Sequence, residues 1–129
     1  MVNELVDEVK SATVLRFNDL WKRNSQANLS KIRQSPGVQS LKNKFKELPC
    51  VVVGAGPSLD KNIQHLSHIK ENALIIAGDA ALKPLLSHNI IPSIVVCLDP
   101  QEDIAKFFTG VSHQGMTLVA PTIVRPKIL

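Results

Sequence analysis

Four short runs of continuously apolar, mostly β-branched residues constrain the fold of this chain more than any other feature. They are Cys50-Val-Val-Val, Ala73-Leu-Ile-Ile-Ala, Ser93-Ile-Val-Val-Cys-Leu and Thr117-Leu-Val-Ala. None alternates apolar with polar residues, so each reads as a strand buried on both faces. Helix-like stretches of about ten residues lie between them, at 58–69, 79–88 and 101–108. Strand, helix, strand, helix at this spacing requires crossover connections and a parallel sheet. The fold class is therefore α/β, a Rossmann-like open, mainly parallel sheet. Pro84 falls about one turn into the second helical stretch, so that helix is expected to start late or kink.

The sheet is preceded by a helical lead-in, and the boundary is placed between 48 and 49. Leu5, Val9, Ala12, Phe17, Leu20 and Trp21 recur at three- and four-residue steps, which predicts a helix over 3–23. The polar stretch Asn24–Asn28 reads as a candidate break, and Ser35-Pro36-Gly37 as a turn. A short helix over about 38–46 follows, with Val38, Leu41 and Phe45 on one face. The charge is concentrated here. Residues 1–48 carry nine basic and five acidic side chains, whereas 49–129 carry six of each. The sequence pI near 9.3 belongs to this lead-in. Interleaved acids and the lack of a DNA-reading motif make a solvated helix face the stronger reading over a nucleic-acid contact.

Composition excludes several classes. A 129-residue chain with 44% apolar and 20% charged residues is globular rather than disordered. Four Phe, one Trp and no Tyr are too few rings for a single-strand nucleic-acid platform. No apolar stretch spans a bilayer, and Glu4, Asp7, Glu8 and Asp19 leave no secretory core near the start. Two cysteines form neither a disulfide framework nor a zinc site, so a cytoplasmic location is expected. Cys50 and Cys97 fall in predicted strands and read as buried core thiols. His65 and His68, with Glu71 beyond, are a weak candidate metal pair. His88 and His113 have no evident partner.

In open α/β sheets, ligands bind beyond the carboxyl ends of the strands. Gly54-Ala55-Gly56-Pro57-Ser58-Leu59-Asp60 follows the first run. Its glycines permit a tight turn and close approach of a ligand. Ser58 is a candidate helix cap, and free N–H groups at such a helix start suit phosphate. The run is neither G-x-G-x-x-G nor a P-loop. Gly78-Asp79 follows the second run, and Asp99-Pro100-Gln101 the third. Both acids are candidate caps, and both could face a ligand's hydroxyl groups. Pro121-Thr122 follows the fourth. Glycines and polar residues thus gather on one sheet edge, as a nucleotide site would place them.

These segments also resemble a known family. The residues are Val52-Val-Gly-Ala-Gly-Pro-Ser-Leu-Asp-Lys-Asn-Ile63, Ala77-Gly-Asp-Ala-Ala-Leu-Lys-Pro-Leu-Leu86, Asn89-Ile-Ile-Pro92 and Cys97-Leu-Asp-Pro-Gln101. Together they look like the motility accessory factor family, bacterial proteins with a 6-hydroxymethylpterin diphosphokinase-like domain. The loop Gly54-Ala55-Gly56-Pro57-Ser58 is also similar to the nucleotide loop of bacterial sialyltransferases. The resemblance implies a glycosyltransferase domain that passes a nonulosonic acid from its CMP-activated form to Ser or Thr hydroxyls of flagellin. It places phosphate and ribose at Gly54, Gly56 and Ser58, base or sugar near Gly78 and Asp79, and sugar or ribose near Asp99 and Pro100; Thr122, by its place after the fourth run, is a further candidate for sugar or ribose. Ala55 stands where the sialyltransferases carry a ligand-contacting Asn. No cofactor is implied by this reading. The alternative is a diphosphokinase acting on a pterin alcohol with ATP and Mg²⁺, with Asp79 and Asp99 as metal ligands. A third reading is an inactive nucleotide-binding fragment. The family domain continues past residue 129, so the resemblance implies an incomplete domain with no catalytic residue assigned. Unfinished sheet edges would then favour self-association.

Overall fold

The computed structural model describes residues 2–112 and 115–129. His113 lies outside the described residues. One long helix, α1 (Val2–Gln34), leads through a 3₁₀ turn at Val38–Leu41 into the sheet. The sheet comprises β1 (Cys50–Val53), β2 (Leu74–Gly78), β3 (Ile94–Val96) and β4 (Thr117–Val119). Its crossovers carry α2 (Pro57–Leu66), α3 (Leu82–Ser87) and α4 (Ala105–Phe108), the last two each entered through one 3₁₀ turn. All four strands run parallel in the order β1-β2-β3-β4. Val53 lies opposite Ala77, Gly78 opposite Val96, and Val96 opposite Val119. The Rossmann-like α/β class read from the apolar runs is the observed one.

The strand order explains where the core sits. Every crossover steps to the next strand in the same direction, and right-handed crossovers of that kind place their helices on one face. Val53, Ile75 and Ala77 pack there with Leu59, Ile63, Leu85 and Ile90. Val95 and Cys97 pack with Leu82, Ile104, Phe108, Val124 and Ile128. The opposite face carries no crossover helix. Val52 is 77% exposed, and Leu98, just past β3, is 68% exposed. The expectation of strands buried on both faces holds for the central strands, where Leu74 and Ile94 on that face are buried, and fails at the outer strand β1. The same geometry corrects Cys50, which lies exposed on the outer strand β1, whereas Cys97 is buried.

Two further expectations change. The polar stretch Asn24–Asn28 does not break the first helix, because α1 runs unbroken through it. Asn24 and Asn28 are four residues apart and both are buried. The Asn24 Nδ2 donates to the carbonyls of Pro100 and Ile123, each at 2.9 Å. The Asn28 Nδ2 donates to those of Thr122 (3.0 Å) and Val124 (2.8 Å). Two side chains thus satisfy four loop carbonyls, and the polarity that looked like a break is the docking surface. The expected helix over 38–46 is only a single 3₁₀ turn followed by hydrogen-bonded turns. Pro84 is accommodated because α3 begins at Leu82, so Pro84 lies in its first turn, where no intrahelical N–H bond is lost. Among the described residues, no helix is long and apolar enough to cross a membrane.

Candidate nucleotide-binding edge

The carboxyl edge of the sheet is divided in two. Beyond β3 and β4, α1 is clamped over the loops through Asn24 and Asn28. Beyond β1 and β2, the loops are open. Gly54 through Ser58 are all exposed. Gly56 is the N-cap of α2, with φ −86° and ψ 163°, and Pro57 opens the helix. Proline suits that position, since its missing N–H would have no intrahelical partner. Leu59 closes the first turn, donating its N–H to the Gly56 carbonyl at 2.9 Å, and buries its side chain in the core.

The expectation that Ser58 caps this helix is not met. Ser58 lies inside the first turn, and no side chain caps α2. Its exposed hydroxyl makes no hydrogen bond among the described residues, so it is free to meet something outside the chain. Asp60 occupies the first turn, as expected.

The glycines of this edge are not explained by backbone conformation. Gly37, Gly110 and Gly115 have positive φ, but Gly54, Gly56 and Gly78 do not. A Cβ added at Gly54 would meet nothing within 4 Å. At Gly56 it would meet only the Ser58 Oγ at 3.7 Å, and at Gly78 only the Val53 carbonyl at 3.8 Å. The turn expected at these glycines is therefore made without left-handed backbone. What the absent side chains leave is bare backbone at a helix start, next to a free hydroxyl.

Asp79, Cys97 and Asp99 meet beside this loop. Asp79 follows Gly78 directly, and its Oδ1 accepts the Ala80 N–H at 2.6 Å. It does not cap the turn it opens, whose N-cap is Gly78. The buried Cys97 thiol lies beside the Asp79 carboxylate and the Asp99 backbone. Burial above all, then the hydrogen bond and charge of Asp79, push this thiol up to about 12. It is therefore held protonated and is not a nucleophile. Asp99 accepts the Gln101 N–H on Oδ1 (2.8 Å) and the Gln101 side-chain amide on Oδ2 (3.2 Å). This turn leads the chain into the helical segment that follows.

Both carboxylates are thus engaged as acceptors within the chain. Among the described residues, no three His, Cys, Asp or Glu side chains form a metal-holding group. Each carboxylate keeps acceptor capacity beyond these bonds, and Mg²⁺ beside phosphates takes only one or two carboxylates, so Asp79 and Asp99 fit a cation as well as ligand hydroxyls. His65 lies in the last turn of α2, with His68 and Glu71 in the turns beyond, all exposed.

The structure therefore places Gly54 through Ser58, Gly78, Asp79 and Asp99 along the carboxyl edge of the neighbouring strands β1, β2 and β3. It sets Pro100 and Thr122 apart from them, with their carbonyls bonded to Asn24 and Asn28. Thr122 instead borders a small groove of about 280 Å³ with Ile32, Pro36, Leu41, Val119 and Pro121. Sequence reasoning missed the docking roles of Asn24 and Asn28. The four-residue step from Leu20 to Asn24 to Asn28 was the available signal for both.

The fold and this edge define a Rossmann-like α/β domain whose open loops follow its first two strands. The chain belongs to the family described as 6-hydroxymethylpterin diphosphokinase MptE-like, whose model matches residues 23–129. An uncharacterized protein of Treponema pallidum is 27% identical over 129 residues, covering 98% of this chain and 22% of that protein. The 6-hydroxymethyl-7,8-dihydropterin pyrophosphokinase of Methanocaldococcus jannaschii is 40% identical over 63 residues. That match covers 46% of this chain and 26% of the archaeal protein. The solved MAf glycosyltransferase from Magnetospirillum magneticum AMB-1 shares the fold, with a TM-score of 0.56 and 24% identity. The overlap is 67% of this chain and 14% of that one. The chain spans well under half the length of each of these relatives.

Proposed function

We propose that this chain is the nucleotide-binding part of a glycosyltransferase that takes a CMP-activated nonulosonic acid and passes the sugar to Ser or Thr hydroxyls of flagellin. One observation carries the nucleotide reading. Gly54 and Gly56 are required by neither backbone conformation nor packing, and they bare a helix start beside the free Ser58 hydroxyl. Backbone N–H groups at a helix start favour phosphate through both hydrogen bonds and the helix dipole. Asp79 and Asp99 end the second and third apolar runs, beside the buried Cys97 thiol. Each keeps lone pairs for ribose or sugar hydroxyls.

The second reading is a phosphotransferase acting on a pterin alcohol with ATP and Mg²⁺. The family match and the archaeal pyrophosphokinase favour it. The likeness to the solved MAf glycosyltransferase supports the first reading instead.

A thermal-shift panel with CMP, CDP, GDP and ATP, each with and without Mg²⁺, separates the two, because a ligand that binds only the folded state raises its melting point. Stabilisation by CMP without metal, lost in Gly56→Leu, is the expected result. Stabilisation by ATP only with Mg²⁺ would replace this proposal with the diphosphokinase. No shift with any nucleotide, in a chain that melts cooperatively, would sink both and leave an inactive domain.

A further inference from the structure

The peptide unit between Pro100 and Gln101 is held at both ends. Its carbonyl, on Pro100, accepts the Asn24 Nδ2 at 2.9 Å. Its N–H, on Gln101, donates to the Asp99 Oδ1 at 2.8 Å. A peptide unit is planar and rigid, so its two ends turn together. Asn24, on α1, is thus joined to the Asp99 carboxylate through one stiff piece of backbone.

The local sequence leaves this unit one main freedom. A residue before proline is restricted to extended backbone, which confines Asp99. The proline ring fixes the Pro100 φ. What remains is rotation about the Pro100 Cα–C bond, which swings the whole unit. The Gln101 side-chain amide adds a bond to the Asp99 Oδ2 at 3.2 Å, but that bond lies within the same turn. Asn24 ties the turn to another element. It is 4% exposed, and its second donated bond, to the Ile123 carbonyl at 2.9 Å, anchors it to the segment after β4.

Asn28 is the natural comparison. It stands one turn further along α1, is 1% exposed, and also donates twice, to the carbonyls of Thr122 and Val124. Both partners lie after β4. The two asparagines dock α1 in the same way, but only Asn24 grips the turn that carries Asp99.

We infer that Asn24 is a positioning residue of the ligand edge, which sets the direction of the Asp99 carboxylate through the peptide unit between Pro100 and Gln101. The consequence for binding rests on the proposed reading of Asp99 as an acceptor for ribose or sugar hydroxyls, for which each of its oxygens keeps a lone pair. Without Asn24 the turn rotates about Pro100, and a ligand binds only the correctly oriented fraction.

The test compares Asn24→Ala with Asn28→Ala in the full chain, with sucrose in every sample to keep the weakened variants folded. The first readout is amide hydrogen exchange at Gln101 by NMR. A half-buried turn opens locally, so its protection does not follow global stability. Gln101 protection should fall about two- to tenfold in Asn24→Ala, the span of one neutral hydrogen bond. It should keep the parental value in Asn28→Ala. The second readout is titration calorimetry with CMP, whose affinity should fall by about the same factor in Asn24→Ala alone. Gln101→Pro attacks the other end of the unit. Its φ of −73° is one that proline shares, and Asn24 keeps both of its bonds. This variant should lose CMP affinity as Asn24→Ala does. Equal Gln101 protection in the two asparagine variants would overturn the inference and leave Asn24 a docking residue like Asn28. Parental CMP affinity in Asn24→Ala or in Gln101→Pro would overturn its bearing on the ligand. No CMP binding by the parent, with the contrast at Gln101 intact, would remove the nucleotide reading and leave the hold of Asn24 on Asp99 standing.

Discussion

Alanine at Gly54 and Gly56 separates a ligand-shaped loop from a conformationally demanding one. A Cβ at Gly54 would have no neighbour within 4 Å, and its backbone is not left-handed. Replacing such a glycine narrows the unfolded ensemble and stabilises by about 0.4–1 kcal/mol. Gly56 has an ordinary φ of −86°, but it is also the N-cap of α2. Alanine is a poorer N-cap than glycine by some tenths of a kcal/mol, which roughly cancels the gain. Both variants should therefore melt within about 1 kcal/mol of the parent, Gly54→Ala slightly above it. Nucleotide binding should behave differently. A methyl group on the approach surface holds a phosphate out of hydrogen-bond reach of the N–H groups, which need about 2.9 Å. Losing one charge-assisted bond costs about 1.5–3 kcal/mol, or roughly 10- to 150-fold in affinity. Calorimetric unfolding reads the first effect, and titration calorimetry with CMP reads the second. Variants that lose more than about 2 kcal/mol of stability while binding nucleotide normally would refute the reasoning. The glycines would then be structural.

Three other outcomes follow from the same geometry. Asn28→Ala strips the partners from the carbonyls of Thr122 and Val124. Buried unpaired groups cost about 1–3 kcal/mol each, so denaturant unfolding should show a loss of about 2–4 kcal/mol, and a loss below about 0.5 would mean the helix is not clamped there. The Cys97 thiol is held protonated in the folded state up to about 12, above its ordinary value. Its contribution is complete below the unfolded thiol pKa of about 8.5 and falls by up to about 1.4 kcal/mol per pH unit above it. Stability between pH 8.5 and 10.5 should thus decline more steeply in the parent than in Cys97→Ala, and equal slopes would contradict the assignment. A thiol reagent should label Cys50 within the mixing time but Cys97 only at the unfolding rate, as mass spectrometry of quenched samples would show.

The sequence by itself determined the α/β class. Continuous apolar runs of three to six residues cannot be helices of useful length, and the helical stretches between them leave only a parallel sheet. It also determined where a ligand edge would lie, because Gly54 to Ser58, Gly78-Asp79 and Asp99 each end such a run. Composition could not show that all the crossover helices lie on one face and leave the other face of β1 exposed. That follows from strand order, which no local pattern encodes, and it helps separate buried Cys97, just past β3, from exposed Cys50 on the outer strand. The roles of polar residues were likewise undecided locally. Asn24 and Asn28 looked like an interruption because their partners are carbonyls about 76 to 99 positions away. Ser58 looked like a cap because the cap position depends on which backbone turns first, and Gly56 does. Side-chain polarity is a local property, but what satisfies it is decided by packing, and packing exists only once the chain has folded.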